Sequence, residues 1–170
     1  GEKFNGFLSY TLAKTQRQIA GINYGNAYPT QNDRRHNLNL VGMYKFSNRL
    51  SASATFVLQS GRPVTFPARK YSYDGLIIPH YDSRNSFRMP VYHRADVGVT
   101  WENKKKEGKR FESSWNLSVY NVYSRANAYS IVFREKTAIV NGETVNTGET
   151  EAVQIALFKI IPSITWNFKF

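Results

Sequence analysis

The sequence predicts an all-β protein, an antiparallel up-and-down segment of a transmembrane β-barrel. Apolar and polar side chains alternate over stretches of about ten residues, which is the pattern of barrel strands with one lipid-facing and one polar face. The connections alternate between short turns and long loops, as the two ends of such a barrel do. No run approaches the ~20 apolar residues that a membrane-spanning helix needs, so strands are the expected spanning elements.

Six long strands follow from the alternation. They are expected at residues 4–13, 34–46, 50–59, 91–101, 114–120 and 153–170. Residues 121–127 are expected to bend or bulge the fifth strand, which then continues through Tyr129, Ile131 and Phe133. Pro162 removes a ladder donor from the last strand, so a bulge or an edge-facing position is expected there.

The connections sort by length into two groups. The short ones are Ser47-Asn48, which closes a hairpin, and a charged turn at about residues 102–110. The long ones are predicted loops at residues 14–33, 61–90 and 136–150. Strands of ten or more residues joined in this way favour a membrane barrel over a soluble sandwich, whose strands are usually five or six residues long.

Six strands are too few to close a barrel, because single-chain outer-membrane barrels have at least eight. An open sheet in lipid would leave two edges of unpaired backbone groups, each costing several kcal/mol. The chain is therefore interpreted as the last part of a larger barrel. A small complete barrel would need two further strands from residues 62–90 and 136–150, where little alternation is visible.

Composition leaves a soluble alternative open. The formal net charge is +11 and the aromatic fraction is 15%. A basic, aromatic chain is typical of single-strand nucleic-acid binding by stacking, but also of a barrel with aromatic girdles. The alternative is a soluble all-β binding module for an acidic polymer or nucleic acid, and it predicts that the apolar faces meet in a dry core. No cysteine and no signal peptide are present in the 170 residues.

Five short motifs resemble the C-terminal barrel region of TonB-dependent outer-membrane transporters, in particular the SusC-like and carboxypeptidase-regulatory-domain group. They are residues 33–38 (Asp-Arg-Arg-His-Asn-Leu), 60–63 (Ser-Gly-Arg-Pro), 88–96 with Arg-Met-Pro and Tyr-His-Arg-Ala-Asp, 118–125 (Ser-Val-Tyr-Asn-Val-Tyr-Ser-Arg) and the ending 162–170. The resemblance spans essentially the whole chain. It implies that these are the final six strands of a 22-stranded barrel, with the plug, the TonB-contacting segment and the signal peptide outside this chain.

The resemblance also implies a location and partners. The parent protein would lie in the outer membrane of a Gram-negative cell and import a nutrient such as a glycan, a peptide or a chelated metal. The implied partners are outer-membrane lipid and lipopolysaccharide, the remainder of the barrel and plug, the TonB complex through that plug, the barrel-assembly machinery and a surface lipoprotein lid. Nucleic acid is not an expected partner, and no cofactor is expected.

Seven residues near the expected extracellular mouth are candidate ligand contacts. Arg34, Arg35 and His36 begin the second strand, but pairing with loop acids or lipopolysaccharide phosphates, or capping the strand, is the favoured alternative for them. Tyr71, Tyr73, Tyr81 and Arg88 lie in the longest predicted loop. Aromatic stacking on a sugar or hydrogen bonding to a peptide would suit these four, and so would a loop packed on its own tyrosines.

Two further sets of residues have other expected roles. Arg94 and Asp96 are two residues apart on a polar face, so a lumen ion pair is favoured over substrate contact, because an unpaired charge there would cost several kcal/mol. Ile164, Trp166, Phe168 and Phe170 end the chain on one face. By the resemblance they form the assembly signal, and a plain amphipathic strand is the alternative.

Catalysis is not expected. The three histidines have no metal-ligand spacing, and no catalytic grouping or phosphate-cradling glycine loop is recognisable, so the chain is interpreted as a non-enzyme without a metal site.

The basic run Lys104, Lys105, Lys106, Lys109 and Arg110 resembles a nucleic-acid patch in isolation. Its flanking glutamates favour a solvated periplasmic turn instead.

Overall fold

The computed structural model describes residues 1–104 and 110–170, and there the chain is antiparallel β-structure without an α-helix. A short 3₁₀ turn lies at Asn23–Gly25. The strands of the described residues are β1 (Phe4–Leu12), β2 (Gln16–Arg17), β3 (Tyr28–Pro29), β4 (His36–Lys45), β5 (Leu50–Gln59), β6 (Pro63–Val64), β7 (Arg69–Tyr73), β8 (Leu76–His80), β9 (Phe87–Arg88), β10 (Tyr92–Glu102), β11 (Glu112–Tyr120), β12 (Ser130–Val140), β13 (Glu143–Ile155) and β14 (Ile161–Lys169).

Six long strands form one sheet in the order β1-β4-β5-β10-β11-β14. All five pairings are antiparallel, which confirms the all-β antiparallel prediction, and β5 has the predicted bounds. β1 and β14 are the two edges, and within the described ranges no pairing joins them. Pro162 lies in the edge strand β14 opposite Val119, without a register shift, so a bulge is not needed to accommodate it.

The register aligns apolar side chains across all six strands. One row runs through Leu8, Leu40, Phe56 and Ala95, which are successive partners from β1 to β10. Because side chains alternate along each strand, the apolar positions of all six strands share one face of the sheet. The residues between them, mainly Asn, Ser, Thr and charged side chains, share the other face.

The apolar face has no second layer over it in the described residues. Leu8, Leu117 and Ile164 are 68%, 55% and 65% exposed. The buried hydrophobic residues there are only Tyr28 and Met89, both outside the six long strands. A dry core between facing apolar surfaces, as the soluble binding module predicts, is therefore not formed within residues 1–104 and 110–170.

Two of the predicted loops contain regular hairpins. The predicted loop at 61–90 includes the hairpin β7–β8, and the one at 136–150 is the centre of the hairpin β12–β13. Both turns hold two residues with positive φ, at Asp74-Gly75 and Asn141-Gly142, as tight hairpin turns require. A small complete barrel would need strands from these stretches to join the six-stranded sheet. In the structure β7 pairs with β8 and β12 pairs with β13, as separate two-stranded sheets.

The fifth and sixth predicted strands also need correction. β11 ends at Tyr120, and the chain does not continue in it through Tyr129, Ile131 and Phe133 but starts a separate strand, β12. The reason is the backbone at Asn121 and Ser124, whose φ values of 54° and 56° break a strand. Similarly, the predicted run 153–170 is divided, since its first residues belong to β13 and β14 begins at Ile161.

Candidate functional site

Two bands of aromatic residues border the apolar face. We define the turn-side band as Phe4, Tyr44, Trp101, Trp115, Trp166 and Phe168, near the ends of the strands joined by short turns. We define the loop-side band as Tyr10, His36, His93 and Tyr123, near the long loops. Between the bands the face is mainly aliphatic, with Phe56 as an aromatic residue in its middle. The apolar face is thus a stripe with aromatic borders on both sides.

The members of the turn-side band on β11 and β14 form a cluster of aromatic rings. Trp101, Trp115 and Trp166 are successive cross-strand partners, and the rings of Trp115 and Trp166 stack with centroids 6.0 Å apart. The ring centroid of Phe168 lies 4.8 Å from that of Trp166 and 5.5 Å from that of Phe170. The predicted assembly-signal residues Ile164, Trp166 and Phe168 therefore lie on the apolar face of an edge strand. Their role as an assembly signal stays a prediction.

The opposite, polar face carries a cluster around Arg94. Its Nη2 lies 2.9 Å from Asp96 Oδ2, and its guanidinium lies 4.0 Å from the centroid of the Tyr120 ring. Arg94 Nη1 also donates to Tyr92 Oη at 3.1 Å. Asp96 accepts a further hydrogen bond from the backbone N–H of Asn121 at 2.8 Å. Each half-buried charge therefore faces an opposite charge and further polar partners, which offsets its desolvation.

A buried clamp joins the loops above the sheet. Asp33 is 1% exposed and accepts from the Thr15 N–H at 2.6 Å and from Arg88 Nη2. Arg88 Nη1 donates to the carbonyls of Asp33 at 2.8 Å and Gly61 at 3.0 Å. Arg88, predicted as a possible ligand contact, thus donates three hydrogen bonds within the protein. We call Thr15, Asp33, Gly61 and Arg88 the loop clamp.

The loop clamp makes a pH-dependent contribution to stability. Burial opposes ionisation of Asp33, but the hydrogen bonds from Thr15 and Arg88 and the charges of Arg88 and Arg35 outweigh it and hold the pKa of Asp33 below its ordinary 3.8. Because the pKa is lower in the folded state, the contribution is fully present above pH 3.8 and is lost as the pH falls through the folded-state value.

The carboxyl ¹³C shift of Asp33 should therefore titrate with a midpoint below 3.8. Arg88→Gln should raise that midpoint, because it removes both the hydrogen bonds and the charge. Arg69→Gln is the control, since Arg69 pairs with Asp82 on another part of the loops and should leave Asp33 unchanged. A wild-type midpoint at or above 3.8 would show that the clamp is not formed.

A second buried group, the Asn121 side chain, joins the loop after β11 to the segment before β14. It is fully buried, and its Nδ2 donates to the carbonyls of Arg125 and Lys159, both at 2.9 Å. Its Oδ1 accepts from the Arg125 N–H at 3.1 Å. Asn121 thereby fixes the start of the loop after β11 and the segment before β14. Asparagine suits this position because it tolerates a positive φ better than most residues.

The structure does not bring the seven predicted ligand contacts together. Arg34 donates to Gln59 on the polar face, whereas the His36 ring lies on the apolar face and Arg35 is exposed. Tyr71 and Tyr73 are exposed on the β7–β8 hairpin, and Tyr81 follows it. Their roles in ligand binding stay predictions.

Sequence reasoning did not identify most of the loop-side band. Tyr10 Oη and His36 Nδ1 are 2.8 Å apart, and so are His93 Nδ1 and Tyr123 Oη. A signal was present in the sequence, because His36 and His93 occupy the outermost apolar-face positions of β4 and β10 beside long loops, and Tyr10 is the next apolar-face position inward from Leu12 on β1. Of the basic turn, Lys105, Lys106 and Lys109 lie outside the described residues, while Lys104 and Arg110 are exposed.

Within the described part of the chain, no helix is long and apolar enough to cross a membrane. The same residues contain no group of three or more His, Cys, Asp or Glu side chains placed to hold a metal ion. Comparison with protein-family models, with curated proteins and with solved structures finds no match to this chain.

Proposed function

We propose that this chain forms part of the barrel wall of an outer-membrane TonB-dependent transporter of the SusC-like group. In this role it contributes six strands of the barrel, three extracellular loop regions and the C-terminal assembly signal. The observation that carries the proposal is the single-layer antiparallel sheet whose exposed apolar face is bordered by aromatic residues on both sides. Such a face is stable against lipid, because burial there removes apolar area from water.

The dimensions of the apolar face support this proposal. His93 and Trp101, one from each band, are eight residues apart on β10, which corresponds to about 27 Å along the strand. At a strand tilt of about 40° the same interval spans about 20 Å along a barrel axis, close to the apolar band of ~25 Å in outer-membrane barrels. Tyrosine at both borders, with tryptophan at the turn-side border, fits the two membrane interfaces.

The polar face and the open edges support a lumen and further strands. In the proposal, the polar side chains line the lumen, and the Arg94–Asp96 pair is part of that lining. β1 and β14 run in opposite directions, so additional strands can complete an antiparallel barrel between them. A plug, a TonB complex that contacts it, the assembly machinery and a lipoprotein lid are the proposed partners. A glycan, peptide or chelated metal is the proposed cargo.

The proposal is tested by the position of the tryptophans in lipid. All three tryptophans of the chain lie in the turn-side band, so their fluorescence reports on the apolar face. After dilution from urea into vesicles, we expect brominated acyl chains to quench them and aqueous acrylamide to quench them weakly. The matched control is a single-tryptophan pair on β11, with Trp115 retained in one variant and Asn116→Trp in the other.

The control pair separates the two faces of the same strand. The variant that keeps only Trp115 should be quenched by brominated lipid. The variant with Asn116→Trp, in which phenylalanine replaces Trp101, Trp115 and Trp166, should be quenched less. A monomer that stays in the aqueous phase, with acrylamide quenching all three native tryptophans, would overturn the proposal. That result would favour the soluble binding module.

A further inference from the structure

Positive charge without an acidic partner is concentrated at the loop end of the sheet. Five acids there already pair with basic residues, among them Asp33 with Arg88 and Asp82 with Arg69. In the described residues the following basic residues have no ion pair: Arg34, Arg35, Arg62, Arg84, Arg125 and Lys159. The remaining loop acids Asp74, Glu135 and Glu143 lie on the two hairpins. The loop end therefore favours an anionic surface.

The loop-side band presents hydrogen-bond donors on this basic side. In both His–Tyr pairs the phenol contacts Nδ1, at 2.8 Å. When the phenol donates to Nδ1, the ring proton is on Nε2. The Nε2 atoms of His36 and His93 have no partner in the described ranges. Each imidazole can thus donate one hydrogen bond outward from the border of the apolar face.

Arg125 adds a cation beside one of these pairs. Its Nη2 donates to the Val91 carbonyl at 3.2 Å, and its Nε is buried without a hydrogen-bond partner. Val91 is two residues before His93, so this hydrogen bond places the guanidinium near the His93–Tyr123 pair. An imidazole donor and a guanidinium at one position form a site for a phosphate group.

The two donors are spaced for separate phosphate groups. His36 is on β4 and His93 is on β10, with β5 between them. β4 and β10 are therefore two strand spacings apart, a total of about 10 Å. Directly next to the band on the same face lie Leu38 and Leu58, followed by the rest of the aliphatic stripe. A ligand with a phosphate at the band and an acyl chain along the stripe meets both surfaces.

We propose that the loop-side band binds the phosphate groups of anionic lipids, with His93 and Arg125 forming one contact and His36 a second. The inference rests on the proposed function, because it needs the apolar face to lie in a bilayer. Lipid is the favoured source of phosphate, since the donors border the apolar stripe and not the polar face. Lipids with a phosphodiester headgroup and lipids with a sugar phosphate share this chemistry.

The test compares insertion of the full chain into three kinds of vesicle: phosphatidylcholine alone, phosphatidylcholine with phosphatidylglycerol, and phosphatidylcholine with lipid A. The variant is His93→Gln/Arg125→Gln. The control is His80→Gln/Arg69→Gln, which removes the same two residue types from an exposed cluster around Asp82. Insertion is measured by brominated-lipid quenching of the native tryptophans, and quenching in neutral vesicles shows whether each variant inserts normally.

The wild type should partition more strongly into anionic than into neutral vesicles. In His93→Gln/Arg125→Gln this preference should be about fivefold smaller, which corresponds to the contribution of one basic residue near a membrane surface. The control variant should keep the wild-type preference. The anionic lipid that gives the larger preference, phosphatidylglycerol or lipid A, identifies the kind of headgroup that is bound. Equal insertion into all vesicles, or equal losses in variant and control, would overturn the inference and leave the proposed function standing.

Two other outcomes are decisive. Inorganic phosphate that removes the preference more than sodium chloride of the same ionic strength would show that the site takes free phosphate, and would overturn a lipid ligand. Insertion into none of the vesicles would overturn the proposed function together with the inference. General screening alone should reduce the preference equally with both salts.

Discussion

Leu8→Arg is expected to weaken membrane insertion strongly. Leu8 lies on the aliphatic stripe, between Phe4 and Tyr10 of the two bands, and is 68% exposed. An arginine on the lipid face near the middle of the bilayer costs about 2–4 kcal/mol. On a water-exposed surface the same change would be within about 0.5 kcal/mol of neutral. The size of the loss therefore distinguishes lipid from water as the medium of this face.

The neighbouring Ser9→Arg is the control for this prediction. Ser9 is also exposed on β1, but it faces the polar side, opposite Asn39. Urea titration of the chain in vesicles, followed by tryptophan fluorescence, should show a lower midpoint for Leu8→Arg and little change for Ser9→Arg. Equal effects of the two variants would mean that the two faces of the sheet do not differ in their surroundings.

Gly61→Ala is expected to open the loop clamp. A Cβ atom at Gly61 would overlap the Met89 carbonyl and would lie 2.6 Å from its carbon, so the backbone has to move. The Gly61 carbonyl accepts from Arg88, and the Arg62 carbonyl accepts from the Met89 N–H at 3.0 Å. Shifting this backbone therefore disturbs both hydrogen bonds. Overlap of this kind in a packed position typically costs about 1–3 kcal/mol or more.

Trypsin provides a local readout, because the Arg88–Met89 bond lies at the affected junction, whereas the bond after Arg62 precedes Pro63 and resists trypsin. Cleavage after Arg88 should be faster by about tenfold or more in Gly61→Ala if about 1.4 kcal/mol of local stability is lost. Gly42→Ala is the matched control, since a Cβ there would meet only the Phe4 ring, at 3.5 Å and 3.7 Å. Unchanged cleavage in Gly61→Ala would contradict the close approach to Met89.

The six long strands could be predicted because each carries its own period-two pattern. In the structure the register matches the apolar rows of neighbouring strands, as at Leu8, Leu40 and Phe56. The hairpins were missed although both contain a strong turn signal, Asp74-Gly75 and Asn141-Gly142. Their strands lack clean alternation, since most of their side chains are exposed on both faces and β12–β13 has a register shift after Glu135.

The loop interactions could not be predicted in the same way. Asp33 and Arg88 are 55 residues apart, and Asn121 reaches the Lys159 carbonyl across 38 residues. No local period connects such partners, because their contact depends on how whole loops pack. The loop-side band is intermediate. Its residues lie at pattern positions, but the pairing of His93 with Tyr123 requires the chain reversal at Asn121.

The β12–β13 hairpin has a consequence for the order of folding. About 40 residues separate β11 from β14, the longest interval between neighbouring strands of the sheet. A hairpin with a two-residue turn forms locally within microseconds and brings its own ends together. Once it has formed, only about 14 flexible residues remain between β11 and β14, which reduces the entropic cost of closing that interval by about 1 kcal/mol. The longest connection in the sheet then has fewer free residues than the 23 between β1 and β4, so β14 can join β11 early in folding.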